Sequence, residues 1–407
     1  MKIDFWSSTE YSGFLEGLMR ELNAHGFAAR QRFQISEASY RSAKSPLARL
    51  WLRFQQYIGY PLRLLFVLGA ERLVRRQATI CVVSTNTFYA PFFAAFIHPN
   101  VVHLMYDLYP EALIHSGNWK EGTLKAKCIH WITGQTLKRS KQNVFLGQRL
   151  KEYVDSLYGE ISNAAIIEVG ADQSLFDRSP EERSNNSDGS SEAKQANETP
   201  PEILYCGNFG NLHDSATLFQ YWNTIVEGLK HSDKIVEGSS DCELPVNDLN
   251  RKLSWSFFCS GPKRAELLKV RESLPEALKN QIRISGGLGQ AEWVAVMETA
   301  DIALVTMTFG SETVVMPSKT YSAMMAGQAI LAIAPENSDL VDTIKAANCG
   351  WWVEPGDITG LKQVLETICS NPDELLEKRE RAYHYAHSRF GQDALAEKWQ
   401  DVFKQLM

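Results

Sequence analysis

Three stretches of the chain hold residue types that could do chemistry. The first is Met316–Gly327, reading M-P-S-K-T-Y-S-A-M-M-A-G. Pro317 suits the first turn of a helix and Gly327 its stop, so the spacing predicts a helix of about three turns. Ser318 and Lys319 then fall at its positive end, where backbone N–H groups, the helix dipole and an ammonium together can hold a phosphate. The same pattern also fits an ordinary βαβ helix with a solvated lysine. The second stretch, Cys206-Gly207-Asn208-Phe209-Gly210-Asn211-Leu212-His213-Asp214, directly follows an apolar run. Glycines at the carboxyl end of a strand let the backbone approach a ligand closely, although a tight strand-to-helix turn needs them too. Neither this stretch nor Gly286-Gly287-Leu288-Gly289 spells G-x-G-x-x-G, which argues against a nicotinamide enzyme. The third stretch runs from His103 to Glu111 (HLMYDLYPE). Asp107 at a strand end can act on a substrate hydroxyl with His103 or Glu111 assisting, or it can cap the next helix while His103 is a core residue. No Asp-x-Asp, His-x-x-x-His or nucleophile elbow occurs, so nothing recommends a metal or a serine hydrolase.

The elements that would position these residues alternate between short apolar runs and helical-period segments, the pattern of parallel α/β units. In the first half the expected strands are Lys2–Trp6, Thr79–Ser84, Val101–Tyr106, Asn143–Leu146 and Ala165–Val169. The helix Gly13–Ala24 carries Leu15, Leu18, Met19 and Leu22 on one face. Residues 178–201 then interrupt the pattern, being rich in Ser, Asn, Glu and Pro and nearly free of apolar side chains, and are read as a disordered linker. The second half resumes with Ile203–Cys206, Trp255–Cys259, Ile282–Ser285, Ile302–Met307, Ala329–Ala334 and Trp351–Val353, then a helix-rich tail. The expected organisation is residues 1–177 as one Rossmann-like domain, 202–385 as a second, and 386–407 as a helix packing back on the first.

The 407 residues exceed one ordinary core, in agreement with two domains. A net charge of −6 disfavours a general nucleic-acid binder. The seven cysteines are scattered without a C-x-x-C, which points to a reducing compartment. The first residues read as a strand, not a signal peptide, and no apolar run is long enough to span a bilayer.

Taken together, the motifs resemble glycosyltransferase family 4, in particular its bacterial surface-polysaccharide members. Asp107-Leu108-Tyr109-Pro110-Glu111 is similar to their Asp-Leu-Trp-Pro-Glu. Val169-Gly170-Ala171-Asp172, followed by Phe176, is similar to their Asn-Gly-Val-Asp with its phenylalanine. Cys206–His213 matches Ser-Gly-Asn-x-Gly-x-x-His except at the first position. Pro317-Ser318-Lys319 with Ala326-Gly327, and Cys349-Gly350 running to Pro355-Gly356-Asp357, complete a collinear series. The resemblance implies an α/β, GT-B architecture: two Rossmann-like domains facing each other across a cleft, donor on the C-terminal side and acceptor on the N-terminal side. It implies retaining, metal-independent sugar transfer from a nucleotide-sugar donor to a saccharide or lipid-linked saccharide, in surface-glycan synthesis. No cofactor is implied, since the nucleotide sugar is a substrate. The implied donor-binding residues are Gly207, Asn208, Gly210, His213, Ser318, Lys319 and Ser322, the last standing where many members have Glu. Ser12-Gly13 replaces the usual Gly-Gly of the first loop. The Arg and Lys that often flank the diphosphate have no counterpart directly after Gly207, so Lys319 becomes the leading neutralising charge and Arg264 the second. A non-catalytic nucleotide-sugar-binding partner of the same fold and a sugar-nucleotide epimerase are the competing readings.

Residues 41–77 hold eight basic side chains (Arg41, Lys44, Arg49, Arg53, Arg63, Arg72, Arg75, Arg76) against Glu71 alone. Leu47, Leu50, Trp51, Phe54, Tyr57 and Ile58 recur there at helical spacing. This basic amphipathic pattern suits an anionic leaflet, which gives an expected location on the cytoplasmic face of the inner membrane as a peripheral protein. The alternative is that the apolar stripe packs on the sheet.

Overall fold

The computed structural model of the chain describes residues 1–10, 14–36, 38–39, 43, 45–74, 79–185, 200–235, 253–314 and 316–406. The chain divides into two units. The first comprises Met1–Asp172, Thr313–Met316 and Arg389–Met407, the second Gln173–Glu312 and Pro317–Ser388.

The first unit is built on β1 (Lys2–Thr9), β2 (Ala28–Ile35), β3 (Thr79–Ser84), β4 (Val101–Met105), β5 (Gln142–Phe145) and β6 (Ala164–Ile166), in the order β2-β1-β3-β4-β5-β6. All neighbours are parallel. Every residue of β3, β4 and β5 is buried, as expected for strands covered on both faces by crossover helices. β2 went unrecognised in the sequence because it reads A-A-R-Q-R-F-Q-I. Its arginines are held by a buried partner on β1: Arg30 Nε donates to Asp4 Oδ1 at 2.6 Å and Arg32 Nε to Asp4 Oδ2 at 2.7 Å. Helix α1 (Phe14–Ala24) buries the expected Leu15, Leu18, Met19 and Leu22. The basic segment forms α2 (Pro46–Phe54), a π-helical turn (Gln55–Gly59) and α3 (Tyr60–Leu73). α3 buries Tyr60, Leu64 and Leu68 against Trp6, Cys81 and Val83, whereas α2 buries no residue at all. Helices α4 (Ala90–Ile97), α5 (Glu111–His115), α6 (Leu124–Arg139) and α7 (Gln148–Tyr158) complete the crossovers.

The second unit has β7 (Glu202–Asn208), β8 (Ser254–Ser260), β9 (Ile282–Ser285), β10 (Ile302–Thr306), β11 (Ala329–Ile333) and β12 (Gly350–Val353), in the order β12-β11-β10-β7-β8-β9 and again parallel. Its helices are α8 (Pro180–Asn185), α9 (Ala216–Ile235), α10 (Arg264–Ser273), α11 (Glu276–Lys279), α12 (Gln290–Thr299), α13 (Lys319–Met325), α14 (Asp339–Ala347), α15 (Ile358–Ser370) and α16 (Pro372–Phe390). The chain steps outward from β7 to β9, then returns to place β10 on the other side of β7. The carboxyl ends of β7 and β10 therefore form a topological switch point, where open α/β sheets bind ligands.

Two expectations need correction. Residues 178–201 are not a linker throughout, because α8 occupies Pro180–Asn185. Ser179-Pro180-Glu181-Glu182 is a capping box: Ser179 Oγ accepts from Glu182 N at 3.3 Å and Glu182 Oε2 from Ser179 N at 2.9 Å. Arg183 then anchors the helix by donating to the carbonyls of Ala326 and Glu298. Residues 186–199 lie outside the described residues. The helix after Pro-Ser-Lys is also shorter than the predicted three turns. α13 has seven residues, starting at Lys319, with Gly327 ending it at φ +73°.

The last helix, α17 (Gln392–Gln405), belongs to the first unit. It packs Leu395, Trp399 and Phe403 into the core of Phe5, Leu18 and Leu22, with Phe5 edge-on to Trp399 at 5.2 Å. Gly170, at φ +74°, makes this possible: a Cβ there would come within 2.3 Å of Leu395 and 2.5 Å of the Phe390 carbonyl.

Candidate functional site

In the second unit, the glycine-bearing stretch and the Pro-Ser-Lys stretch meet at the switch point. Gly207, the penultimate residue of β7, holds φ +133°, and a Cβ there would lie 3.8 Å from both Cε and Nζ of Lys319. The Lys319 ammonium is buried, 3.8 Å from the centre of the Tyr205 ring, and has no hydrogen-bond partner among the described residues. Burial lowers its pKa to about 7, against a smaller upward pull from the Cys206 and Cys259 thiols. Arg264 opens α10 at the adjacent strand end, and its Nε is also buried without a hydrogen-bond partner among the described residues. Both cations act on the same thiol: burial raises the Cys259 pKa, and Arg264 and then Lys319 pull it down. At the ends of β7 and β8 a buried ammonium and a guanidinium Nε are thus left without hydrogen-bond partners among the described residues, and leaving such groups unpaired costs stability.

The loop after β7 is fixed from both sides. Phe209 N donates to the Ser260 carbonyl at 2.7 Å, and Thr308 N to the Leu212 carbonyl at 3.0 Å. The ammonium of Lys263 donates to the His213 carbonyl. His213 Nδ1 lies 2.8 Å from the Thr306 carbonyl, which can only accept, so Nδ1 carries the proton and ties the loop to β10. Burial, reinforced by Lys319, lowers the His213 pKa to about 3 and keeps the ring neutral. Asn208 is exposed, its side chain lying over Gly210 and Gly261. A pocket of about 360 Å³ adjoins Lys319, lined by Cys206, Trp293, Met297, Val305 and Ser322 among others. Ser318 is exposed.

In the first unit, His103 and Asp107 line a second pocket of about 210 Å³ with Thr85, Phe88, Tyr109 and Thr133. Thr85 Oγ1 accepts from the backbone N–H groups of Tyr106 and Asp107 at 3.0 and 3.3 Å, fixing the turn that presents the carboxylate. Tyr109 OH lies 3.4 Å from Asp107 Oδ2, and Thr133 Oγ1 donates to the Tyr109 carbonyl. Burial raises the Asp107 pKa to about 6, outweighing the downward effect of the Tyr109 hydroxyl. His103 is buried, and Asn143 Oδ1 stands 3.1 Å from its Nδ1. Asn143 uses its amide nitrogen on the Leu137 carbonyl, so its oxygen accepts and His103 donates from Nδ1. Burial lowers the His103 pKa to about 4.

Glu111 is not part of this pocket. It starts α5 and directs Oε1 to His130 Nδ1 at 3.3 Å, while Tyr158 reaches the same nitrogen at 2.9 Å. Ser12 and Gly13 lie outside the described residues, as do Arg41, Lys44, Arg75 and Arg76. Sequence reasoning missed Tyr205, Trp293 and Thr85. Thr85 had a local signal, the polar run Ser84-Thr85-Asn86-Thr87 at the end of a buried strand. Tyr205 and Trp293 had none, since they join the site only through tertiary packing.

No protein-family model matches the sequence. Over 120 residues the chain is 29% identical to a Pseudomonas aeruginosa protein described as the probable glycosyltransferase WbjE; the match spans 30% of this chain and 29% of that one. Among solved structures, Anabaena Alr3699/HepE in complex with UDP is similar over 100% of both chains, with a TM-score of 0.65 and 13% identity. Sucrose-phosphate synthase from Thermosynechococcus elongatus gives 0.63 at 14% identity over 100% of this chain and 99% of that one. WaaG, a glycosyltransferase involved in lipopolysaccharide biosynthesis, gives 0.62 at 15% identity over 98% and 99%. With two parallel six-stranded sheets and full-length likeness to these structures, the chain has the GT-B fold.

Proposed function

We propose that the protein is a glycosyltransferase that takes its sugar from a nucleoside diphosphate donor. The observation that carries this reading is the Lys319 ammonium, buried without a hydrogen-bond partner among the described residues, beside the bare backbone of Gly207 and sharing its surroundings with Arg264. A diphosphate supplies the anionic oxygens that these cations lack. As the glycosidic bond breaks, negative charge grows on the leaving diphosphate, and fixed cations in a desolvated site stabilise it more than the ground state. Lys319 and Arg264 supply that charge without a metal. Gly207 lets the diphosphate approach the strand end, and His213, neutral and tied to Thr306, holds the loop in place. We assign the acceptor to the first unit, where Asp107 orients a hydroxyl and receives its proton; Thr85 and Tyr109 fix that carboxylate and His103 supports β4 through Asn143. Transfer proceeds with retention at the anomeric carbon, in line with the resemblance to glycosyltransferase family 4.

The acceptor is a saccharide or lipid-linked saccharide of surface-glycan synthesis, reached by peripheral contact of residues 41–77 with an anionic membrane on its cytoplasmic face. The exposed apolar stripe of α2 supports that contact, because it covers no part of the sheet. Among the described residues, no helix is long and apolar enough to cross a membrane. A panel of nucleotide sugars offered with and without saccharide acceptors tests the function. Acceptor-dependent release of nucleoside diphosphate, with an axial or equatorial linkage matching the donor, is the expected result. Binding without turnover would indicate a non-catalytic partner, and acceptor-independent change of the sugar an epimerase.

A further inference from the structure

Several helices of the first unit leave large apolar side chains open to solvent. On α2 and the π-helical turn, Leu47, Leu50, Trp51, Phe54 and Ile58 are 45% to 79% exposed. This surface does not end with residues 41–77. α3 packs on α4 and α4 on α6, and these two further helices expose Phe93, Phe96 and Trp131 at 38%, 52% and 58%. Ring contacts join the two regions without a break. Tyr57 lies 6.3 Å from Phe88, Phe88 5.1 Å from Tyr89, and Tyr89 6.0 Å from Phe93. Phe92 then stands 5.4 Å from Phe93, 5.3 Å from Phe96 and 5.8 Å from Trp131.

Charge decides what covers this surface. α2 and α3 carry Arg49, Arg53, Arg63 and Arg72, and α6 adds Lys125, Lys127, Lys138 and Arg139. Arg139 stacks over the Phe96 ring at 4.1 Å, which places a guanidinium at the edge of the apolar area. The one carboxylate on these helices and on α4, Glu71, faces Lys2 and Arg32 at 3.6 and 3.8 Å. A second copy of the chain bound through the same face would set these like charges against each other across a two-fold axis. Exposed apolar and aromatic side chains on helices that carry Arg and Lys instead match the headgroup boundary of an anionic leaflet.

We propose that α4 and α6, through Phe93, Phe96 and Trp131 with the basic residues of α6, form the second half of a bilayer-docking surface whose first half is α2 and the π-helical turn. This rests on the membrane contact proposed above for residues 41–77 and enlarges it to four helices. Within the ring series, Phe88 also lies 5.3 Å from Tyr109 and lines the Asp107 pocket, so ring contacts connect the docking surface to the pocket.

Co-sedimentation of the full chain with phosphatidylcholine vesicles, with and without phosphatidylglycerol, tests the proposal. The unsubstituted protein should favour the anionic vesicles and release at high salt. The triple variant Phe93→Ser/Phe96→Ser/Trp131→Ser should lose on the order of tenfold in partitioning, as should Trp51→Ser/Phe54→Ser. All five substituted positions are solvent-facing, so an unchanged melting curve is expected for both variants. Sugar transfer to a water-soluble acceptor without lipid should survive in both, which separates failure of docking from failure of the transferase reading. Native-like vesicle binding by the triple variant would overturn the proposal and confine the contact to residues 41–77. A concentration-dependent dimer in lipid-free sedimentation that the triple variant abolishes would overturn it in favour of a second copy.

Discussion

At the switch point of the second unit, polar atoms are left without partners, whereas the turn that carries Asp107 in the first unit is closed by hydrogen bonds. Lys319 Nζ, Arg264 Nε, Thr306 Oγ1 and Thr320 Oγ1 are all buried without a hydrogen-bond partner among the described residues. Around Asp107, by contrast, Thr85 holds two backbone N–H groups, Thr133 holds the Tyr109 carbonyl, and Asn143 binds His103. Unsatisfied cations cost stability and persist where a ligand supplies the missing oxygens. A braced carboxylate with a raised pKa is suited to orienting a hydroxyl and exchanging a proton. On the proposed reading, the second unit suits an anion and the first a neutral hydroxyl group.

The sharpest way to break this contrast is Lys319→Ala. Loss of one charge-stabilising contact in the transition state costs about 3 kcal/mol, on the order of a hundredfold in kcat/KM. Since the ammonium has no hydrogen-bond partner among the described residues and its burial is costly, Lys319→Met should melt no lower than the native protein; a large fall in Tm would make the lysine structural. Next in size is Asp107→Asn, with an expected loss of about tenfold to a hundredfold in kcat/KM, measured with acceptor varied. A carboxylate that must be ionised, with pKa about 6, gives a rate that falls as pH drops through that value. Asp107→Asn should remove this acid limb, and a limb that persists would assign it to another group. The smallest effect concerns α8: Ser179→Ala should cost about 1 kcal/mol of stability by removing half of the capping box, with kcat unchanged. Chemical denaturation checks it.

The buried strands were legible because a fully covered parallel strand is a continuous apolar run, as Thr79–Ser84 and Ala329–Ile333 show. β2 was not, because what makes Arg30 and Arg32 acceptable in a sheet is Asp4, distant in sequence and buried beside them. In α8 the local signal existed, but the polar composition around Ser179 and Glu182 outweighed it. The site shows the same division. Gly207 and Lys319 could be picked out by motif, while the Tyr205 ring beneath the ammonium and Trp293 against Cys206 depend on tertiary packing. Glu111 was grouped with Asp107 by proximity in sequence, yet the start of α5 turns it toward His130.

Proton-linked donor binding, followed by calorimetry in buffers of different ionisation heat, addresses the role of Lys319 most directly. In the free protein its pKa is about 7, and a bound diphosphate must hold it protonated. Below pH 7 the donor should bind with no proton uptake. Above it, binding should take up nearly one proton and weaken by about tenfold per pH unit until the pKa of the bound state is reached. Lys319→Ala should bind weakly at every pH, without uptake. Donor affinity that is flat across this range in the native protein, or a proton uptake that survives in Lys319→Ala, would contradict the assignment of the diphosphate to this lysine.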